Sequence, residues 1–274
     1  MFELFFCGLW FPQPTEKSEC EKPDPDATKQ GEARTVVLCY RGNAQIVKNL
    51  NTLKNIRDFL KKHPLKSSLG LLLLVGYYYA VPKKLFDVPY ATVVESASGE
   101  LLGATIAADG QWRFPALDSV PQKFEHCLLT FEDAYFRYHP GFNPVAMGKA
   151  FWGNISQGRK RGGSTITQQV VRLARGNQNR SYAEKGIEWI WATRLEFRYS
   201  KDEILNLYAS HAPFGGNVVG LEMASWRYFG LAPHQLSWAE SATLAVLPNA
   251  PGLIYPGKNQ ERLLQKRNRL LKRL

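Results

Sequence analysis

The chain has 274 residues, enough for one sizeable domain and an appendage. Its 35 Lys and Arg residues against 24 Asp and Glu residues give a formal charge of +11, which predicts an anionic partner. An anionic lipid surface and a diphosphate both match that charge, as nucleic acid would. The sequence has no zinc-finger spacing and no basic heptad run, so we expect no nucleic acid among its partners.

The first third of the chain predicts a membrane anchor. Residues 1–47 are interpreted as a disordered cytoplasmic segment, and residues 48–66 as a basic juxtamembrane segment. Residues 67–82 carry no charge, but they fall just short of the ~17–25 residues of a spanning helix, so a buried core helix is an alternative. Basic residues lie mainly before this stretch. The positive-inside rule therefore predicts a single-pass anchor in the inner (cytoplasmic) membrane, with the following residues on the periplasmic or extracellular side.

The remainder predicts a small neck and a mainly α domain. Residues 85–120 form the neck, with short strands at Ala91–Val94 and Leu101–Ile106. Residues 121–257 form the helical domain, and residues 258–274 a basic helix that we expect to be truncated. One apolar stripe at helical spacing follows Phe124, Cys127, Leu128, Phe131 and Tyr135. Capping boxes mark helix starts at Thr165/Gln168, Ser181/Glu184, Ser200/Glu203 and Ser237/Glu240.

Five short motifs stand in order within the helical domain. They are Glu132–Gly141, Gly162–Gln169, Glu184–Glu188, Tyr208–Gly220 and Leu247–Pro251. Each motif on its own has an ordinary structural interpretation, as a surface helix, a helix cap or a helix stop. Their order within one domain favours a shared site.

Glu132 is the candidate general base. It precedes Asp133 on a helix whose other face carries the apolar stripe, so its carboxylate can project into a cleft. A neighbouring carboxylate and a partly apolar wall would both raise its pKa toward the range of a useful base. A Glu-Asp pair by itself is more typical of a solvated surface. The other four motifs are what favours the base.

The second and third motifs predict an anion site. The glycines of Gly162–Gln169 permit a close approach of the backbone to a ligand, and the Ser/Thr cluster opens a helix whose free amides favour phosphate. The alternative is that Thr165 and Gln168 only cap that helix. Lys185 and Glu188 are three residues apart and share one helix face, so a cation and a carboxylate can serve one site.

Together the five motifs resemble those of the peptidoglycan glycosyltransferases of family 51. The stretches Ala212–Gly216 and Asp109–Pro115 resemble the 1C type of class A penicillin-binding protein. The resemblance covers about residues 65–274. It implies a lysozyme-like, mainly α glycosyltransferase domain that polymerises lipid II into glycan strands, with inversion and release of undecaprenyl diphosphate. The chain has no S-x-x-K and no K-T-G, so we expect no transpeptidase domain.

The resemblance also implies partners and single-residue roles. Lipid II, the growing glycan chain, the outer leaflet of the cytoplasmic membrane and cell-wall synthesis proteins are the expected partners. Glu132 would deprotonate the acceptor's 4-hydroxyl, and Glu188 would be the second catalytic carboxylate. The implied substrate- and diphosphate-binding residues are Asp133, Phe136, His139, Gly141, Arg159, Arg161, Gly163, Ser164, Thr165, Gln168, Gln169 and Lys185. A divalent cation such as Mg at the diphosphate is compatible with the resemblance, but the sequence contains no metal-ligand cluster, so no metal residue is predicted.

The chain departs from the family pattern at two positions. Glu184 replaces the arginine of the usual R-K-x-x-E motif, and Ser210 replaces the usual asparagine of the fourth motif. The first change removes a phosphate-binding cation, which would lower activity or shift that role to Arg194 or Arg198. Residues 142–161 mix apolar side chains with cations, and by resemblance they form a membrane-associated jaw.

Two other functions remain open at this point. A glycan-cleaving enzyme of the lysozyme or lytic type also uses an acidic residue on an α fold, but it needs no diphosphate site and no lipid contact. A catalytically degenerate cell-wall scaffold would explain the two departures. A phosphoglycolipid of the moenomycin type should bind an intact donor site and ignore a hydrolase.

Overall fold

The described part of the chain is mainly helical, as the sequence predicts. The computed structural model describes residues 52, 54, 55, 57–145, 148, 163–176 and 181–274. The predicted disordered segment 1–47, most of the predicted jaw, and the predicted phosphate ligands Arg159 and Arg161 lie outside these residues. The helices are α1 (Pro64–Tyr79), α2 (Gln122–Glu132), α3 (Ile166–Ala174), α4 (Tyr182–Glu196), α5 (Lys201–His211), α6 (Leu221–Phe229), α7 (Trp238–Val246) and α8 (Gln260–Leu271).

Five short strands accompany the helices in the described residues. Strands β1 (Val93–Glu95) and β2 (Leu101–Ala104) pair antiparallel and overlap the two predicted neck strands. Strand β5 (Val218–Val219) pairs parallel with β3 (Trp112–Arg113) and antiparallel with β4 (Pro213–Gly215). The parallel pair joins the neck to the fourth motif. The architecture is therefore consistent with the lysozyme-like fold that the resemblance implies, while the domain boundaries stay predictions.

The core is built by helix α2 and its neighbours. Helix α2 packs on α7, α7 packs on α8, and α3 packs on both α4 and α5. The predicted stripe of α2 is confirmed at Phe124, Cys127 and Leu128, which are all fully buried. It is wrong at Tyr135, which is 66% exposed. Helix α2 ends at Glu132, and a 3-10 turn (Phe136–Tyr138) then buries Phe136 instead.

Four predicted helix starts are occupied by a side chain that accepts the backbone N–H three residues later. The reciprocal bond of a full capping box forms at Ser200/Glu203 and Ser237/Glu240. At the other two starts the third residue points elsewhere: Gln168 donates to the carbonyl of Gly141, and Glu184 pairs with Arg175. Both diverted side chains belong to the motifs, which indicates a role beyond capping.

Helix α1 covers most of the predicted anchor. None of its residues is buried, so the alternative of a buried core helix is wrong. Its last turn contacts α4, where the Tyr77 hydroxyl donates to Thr193 Oγ1 at 3.2 Å and Arg194 Nε donates to the carbonyl of Tyr78 at 3.1 Å. Within the described residues, no helix combines the length and the apolar character needed to span a membrane. The anchor therefore stays a prediction.

The turn after α2 touches α4 through a glycine. Gly141 has φ +85°, and a Cβ on it would lie 2.7 Å from the carbonyl oxygen of Ala192. Gly110, in a neck turn, has φ +74° but meets nothing within 4 Å. Both positions favour glycine for their backbone conformation, but only Gly141 also lacks room for a side chain.

We expect Gly141→Ala to destabilise the fold far more than Gly110→Ala. Gly110→Ala should cost about 1 kcal/mol because only the left-handed backbone is strained. Gly141→Ala should cost roughly 2–4 kcal/mol because overpacking against α4 is added to that strain. Chemical denaturation of both variants in detergent measures the difference. Equal losses would contradict the close approach of the turn to α4.

Candidate active site

The site forms where the first motif meets the start of helix α3. Asp133 follows the last residue of α2, and its Oδ2 accepts the backbone N–H of Ile166 at 3.1 Å. The Thr165 hydroxyl accepts the N–H of Gln168 and donates to the carbonyl of Gly141 at 2.7 Å. The first two motifs are therefore held together by hydrogen bonds from both sides.

Asp133, His139 and Phe136 support this junction and contact protein groups. Both carboxylate oxygens of Asp133 lie 3.0 Å from His139 Nε2, and both side chains are buried. Lys201 donates to the carbonyl of His139 at 2.7 Å, and its ammonium lies 4.5 Å from the centroid of the Phe136 ring. The substrate-binding roles predicted for these three residues stay predictions, since their described contacts are structural.

Glu132 is half-buried at the end of α2 and accepts two side-chain amides. Gln169 Nε2 donates to one carboxylate oxygen at 2.9 Å, and Asn249 Nδ2 approaches the other at 3.4 Å. Burial raises the pKa of Glu132 above its ordinary value, and the Asp133 carboxylate adds to that rise. The two amides and the Lys266 charge oppose it without cancelling it. The predicted direction of this pKa shift agrees with the structure.

A cluster of two cations and a carboxylate lies at the start of α3. The Lys185 ammonium donates to Ser164 Oγ at 3.0 Å, to Gln168 Oε1 at 3.1 Å and to Glu188 Oε2 at 2.6 Å. Arg172 donates two hydrogen bonds, of 2.8 and 3.1 Å, to the Glu188 carboxylate, and its Nη2 lies 3.4 Å from Ser164 Oγ. The second and third motifs thus meet at one hydroxyl, Ser164, which lies just before α3.

Glu188 is buried between these two cations. Burial by itself would raise its pKa, but the hydrogen bonds and charges of Arg172 and Lys185 outweigh it, so the pKa of Glu188 is lowered. A carboxylate with a lowered pKa stays ionised at neutral pH and is a poor proton carrier. Its geometry suits a residue that holds the cations in place.

The family comparison supports the resemblance found in the motifs. The family described as Transglycosylase matches residues 98–274, which include all five motifs. The chain belongs to the transglycosylase family. The match therefore confirms the family predicted from the sequence.

Curated relatives of the chain point the same way. It is 41% identical over 196 residues to penicillin-binding protein 1C of Escherichia coli (strain K12), covering 70% of this chain and 25% of that protein. It is 35% identical over 212 residues to penicillin-binding protein 1A of Aquifex aeolicus, covering 75% of this chain and 29% of that protein. It is 34% identical over 197 residues to the biosynthetic peptidoglycan transglycosylase of Caulobacter vibrioides, covering 70% of this chain and 82% of that protein. The chain thus spans under a third of the two penicillin-binding relatives.

The sequence offered Arg194 and Arg198 as replacements for the missing cation of the third motif. Arg194 and Arg198 do not join the cluster: Arg194 donates to the carbonyl of Tyr78, and Arg198 to those of Pro82 and Lys83. The residue that sequence reasoning missed is Arg172. It lies one helical turn after Gln168 on α3, so the spacing i, i+4 was a readable signal.

Residues of the fourth and fifth motifs, to which the sequence assigned no individual role, also contact the residues of the site. Tyr208 of the fourth motif lies with its hydroxyl 3.4 Å from Gln169 Oε1, and Asn249 of the fifth motif contacts Glu132. Lys266 of α8 donates to Asn249 Oδ1 at 2.7 Å. No sequence signal indicated Lys266, because it reaches the site only through the packing of α8. Ser210, the second departure, contacts Asn206 in its own helix at 3.4 Å.

The residues do not present a ready metal site. Among the described residues, no group of three or more His, Cys, Asp or Glu side chains is arranged to hold a metal ion. The Glu188 oxygens accept hydrogen bonds from Arg172 and Lys185, and those of Glu132 accept bonds from two amides. These carboxylates are therefore poor candidates for Mg ligands as they stand. Gly163 and Ser164 are half-buried in the extended segment before α3.

We expect Glu188→Gln to destabilise the protein more than Glu184→Gln. Both carboxylates take a two-bond arginine, but Glu188 also holds Lys185 and its side chain is 6% exposed, against 16% for Glu184. The loss at Glu188 should be roughly 2–4 kcal/mol, and the loss at Glu184 about half of that, because partly buried cations are left without their carboxylate.

The pH dependence of that loss has a defined sign. The lowered pKa of Glu188 gives stability that is present above the ordinary glutamate range and is lost as pH falls through the lowered value. The difference in the free energy of unfolding between wild type and Glu188→Gln should therefore shrink in acid. Denaturation curves from neutral to acid pH measure it. A difference that persists at the acid end would rule out the ionised cluster.

Proposed function

We propose that this transglycosylase polymerises lipid II into glycan strands and releases undecaprenyl diphosphate. The single observation that carries the proposal is the juxtaposition of a carboxyl with a raised pKa, Glu132, and a cation cluster at a helix start. The chemistry needs both: a base for the acceptor hydroxyl and donors for the departing diphosphate. The similarity to the biosynthetic peptidoglycan transglycosylase of Caulobacter vibrioides supports the same activity.

The residues of the site account for the proton and the leaving group of the reaction. Glu132 takes the proton of the acceptor hydroxyl while that oxygen forms a bond to the donor's anomeric carbon. The bond from that carbon to the diphosphate oxygen breaks on the opposite face, so the configuration inverts. Each added sugar unit leaves one proton on Glu132 and one diphosphate anion in the cation cluster.

The diphosphate is proposed to bind at the start of α3. Lys185, Arg172 and the Ser164 hydroxyl converge there, at the positive end of the α3 dipole. Glu188 keeps the two cations oriented while the site is empty, and a diphosphate can replace it as their partner. We therefore assign a positioning function to Glu188, the second catalytic carboxylate that the resemblance implies. A divalent cation remains an expectation of the resemblance, and no step above requires one.

The membrane location is part of the proposal. Leu71, Leu72, Leu73 and Leu74 of α1 are each more than 60% exposed, which suits contact with acyl chains. Trp189, Ile190 and Phe197 on or beside α4 are also exposed. We propose a single-pass protein of the inner membrane with its site on the periplasmic or extracellular side, facing the leaflet that carries lipid II. Partners among cell-wall synthesis proteins stay an expectation.

We expect Glu132→Gln to lower kcat for lipid II polymerisation in detergent about a hundredfold or more, because the base is lost. The wild-type rate should rise with pH through a pKa above the ordinary glutamate value, since the ionised form is the active one. The exposed Glu100→Gln is the matched control and should polymerise normally. Equal polymerisation by wild type and Glu132→Gln would remove Glu132 as the base.

We expect a moenomycin-type phosphoglycolipid to bind wild type and Glu132→Gln alike, and to bind Lys185→Met roughly tenfold more weakly or worse, because a charge-assisted phosphate contact is lost. Lys272→Met, at an exposed position, is the matched control. Fluorescence anisotropy of a labelled phosphoglycolipid measures the affinity. Failure of the folded wild type to bind would favour a glycan-cleaving enzyme or a scaffold, which the polymerisation assay then separates from a polymerase.

A further inference from the structure

We propose that Lys266 is a positioning residue for Glu132 and acts through the side-chain amide of Asn249. The inference deepens the proposed function, because it concerns the base of that same reaction. It adds helix α8, which carries none of the five motifs, to the catalytic apparatus.

The first argument is the direction of each hydrogen bond. The Lys266 ammonium can only donate, so it fixes the carbonyl oxygen of Asn249 on its own side, at 2.7 Å. The amide nitrogen of Asn249 is then turned toward Glu132 Oε1, at 3.4 Å. Without Lys266, the Asn249 amide has no fixed orientation and can present its oxygen to the carboxylate.

The other carboxylate oxygen of Glu132 also accepts an amide that a further donor orients. The Tyr208 hydroxyl donates to Gln169 Oε1 at 3.4 Å, and Gln169 Nε2 donates to Glu132 Oε2 at 2.9 Å. Each oxygen of Glu132 thus accepts an amide that a separate donor orients. The two pairs of residues come from different parts of the chain. Tyr208 and Gln169 lie on α5 and α3, whereas Lys266 lies on α8 and Asn249 follows α7.

The third argument is the position of Lys266 on its helix. Leu263 and Leu270 lie three residues before it and four after it, on the same face, and they are 3% and 1% exposed. A lysine on the packed face of a helix is costly unless it has a partner. Burial and the charges of Arg262 and Arg269 lower the pKa of Lys266, and Glu132 is the anion that opposes this. A lysine retained there against that cost indicates a function.

The charged and titratable groups around Glu132 set the expected sign. Asp133 raises its pKa, Lys266 lowers it, and the amides of Gln169 and Asn249 also lower it. Tyr208 faces Gln169 and is fully buried, so it stays neutral. Removing the Lys266 charge and freeing Asn249 both raise the pKa of Glu132 further. The acid limb of the rate profile should then move to higher pH.

The test compares Lys266→Met, Lys266→Gln and Lys266→Arg with the matched control Lys272→Met, which removes a cation from an exposed position just after the same helix. In lipid II polymerisation, Lys266→Met should lose about tenfold in kcat at neutral pH with little change in KM, because an oriented base acts in the transition state. Lys266→Arg should recover most of the activity. Lys266→Gln keeps a donor without charge and should fall between them.

A second measurement separates orientation from charge. If Lys266 acts through the amide, Asn249→Ala should reproduce much of the loss, and Lys266→Met should add less to Asn249→Ala than it does to wild type. If Lys266 acted only as a distant charge, the two losses would multiply. Independent losses would therefore overturn the proposed route through Asn249.

A third measurement does not depend on turnover. The pKa of Glu132 can be read from carboxyl carbon NMR of glutamate-labelled protein, with Glu132→Gln to assign the resonance. It should be higher in Lys266→Met and Asn249→Ala than in wild type, and unchanged in Lys272→Met. An unchanged value in folded Lys266→Met or Lys266→Gln would overturn the inference. An inactive wild type that still showed the expected shifts would overturn the proposed function and leave the positioning role supported.

Discussion

The hydrogen bond from the Ile166 amide to the Asp133 carboxylate is the contact on which the rest of the site depends. It joins the end of α2, which carries Glu132, to the start of α3, where we propose that the diphosphate binds. A carboxylate at a helix N-terminus is favoured by the helix dipole, and His139 fixes it from the other side. Glu132 directly precedes Asp133, and Ser164 lies two residues before Ile166. The bond therefore sets how close Glu132 lies to Ser164, the hydroxyl at which Lys185 of α4 and Arg172 meet.

The electrostatics of the site follow from two carboxylates with opposite surroundings. Burial raises the pKa of Glu132, whose direct hydrogen-bond partners are neutral amides. The pKa of Glu188 is lowered, because its carboxylate contacts Arg172 and Lys185. The raised pKa makes Glu132 the better proton acceptor of the two, and the lowered pKa keeps Glu188 ionised. Glu132 is half-buried and Glu188 is buried, and burial by itself raises both pKa values, so the opposite direction at Glu188 comes from its charged neighbours. The proposed division between proton transfer and cation positioning is accordingly a property of the tertiary structure.

What the sequence could predict is what local spacing determines. The apolar stripe of α2, the helix starts at Thr165 and Ser181, and the shared face of Lys185 and Glu188 all follow from residues within a few turns of each other. The prediction that Tyr135 is buried was wrong, because periodicity does not show where a helix ends. Lys266 and Asn249 could not be found, since their approach to Glu132 depends on how α8 packs on α7. Arg172 was readable at i+4 from Gln168, but a basic residue on a helix is usually solvated.

The departure at Glu184 is absorbed by a local exchange of charge. Glu184 stands where the family pattern has an arginine. Its carboxylate accepts two hydrogen bonds, of 2.7 and 3.0 Å, from Arg175, which lies about one helical turn after Arg172. The guanidinium of Arg175 also lies 4.9 Å from the centroid of the Trp191 ring on α4. The pair thus ties the end of α3 to the start of α4, the two helices that carry Arg172 and Lys185. The substitution removes one cation from the third motif, and the pair that Glu184 forms with Arg175 braces the two helices that carry the remaining cations. The proposed diphosphate site therefore has one cation fewer than the family pattern, and the hydrogen bond from Lys185 to Ser164 orients one of those that remain.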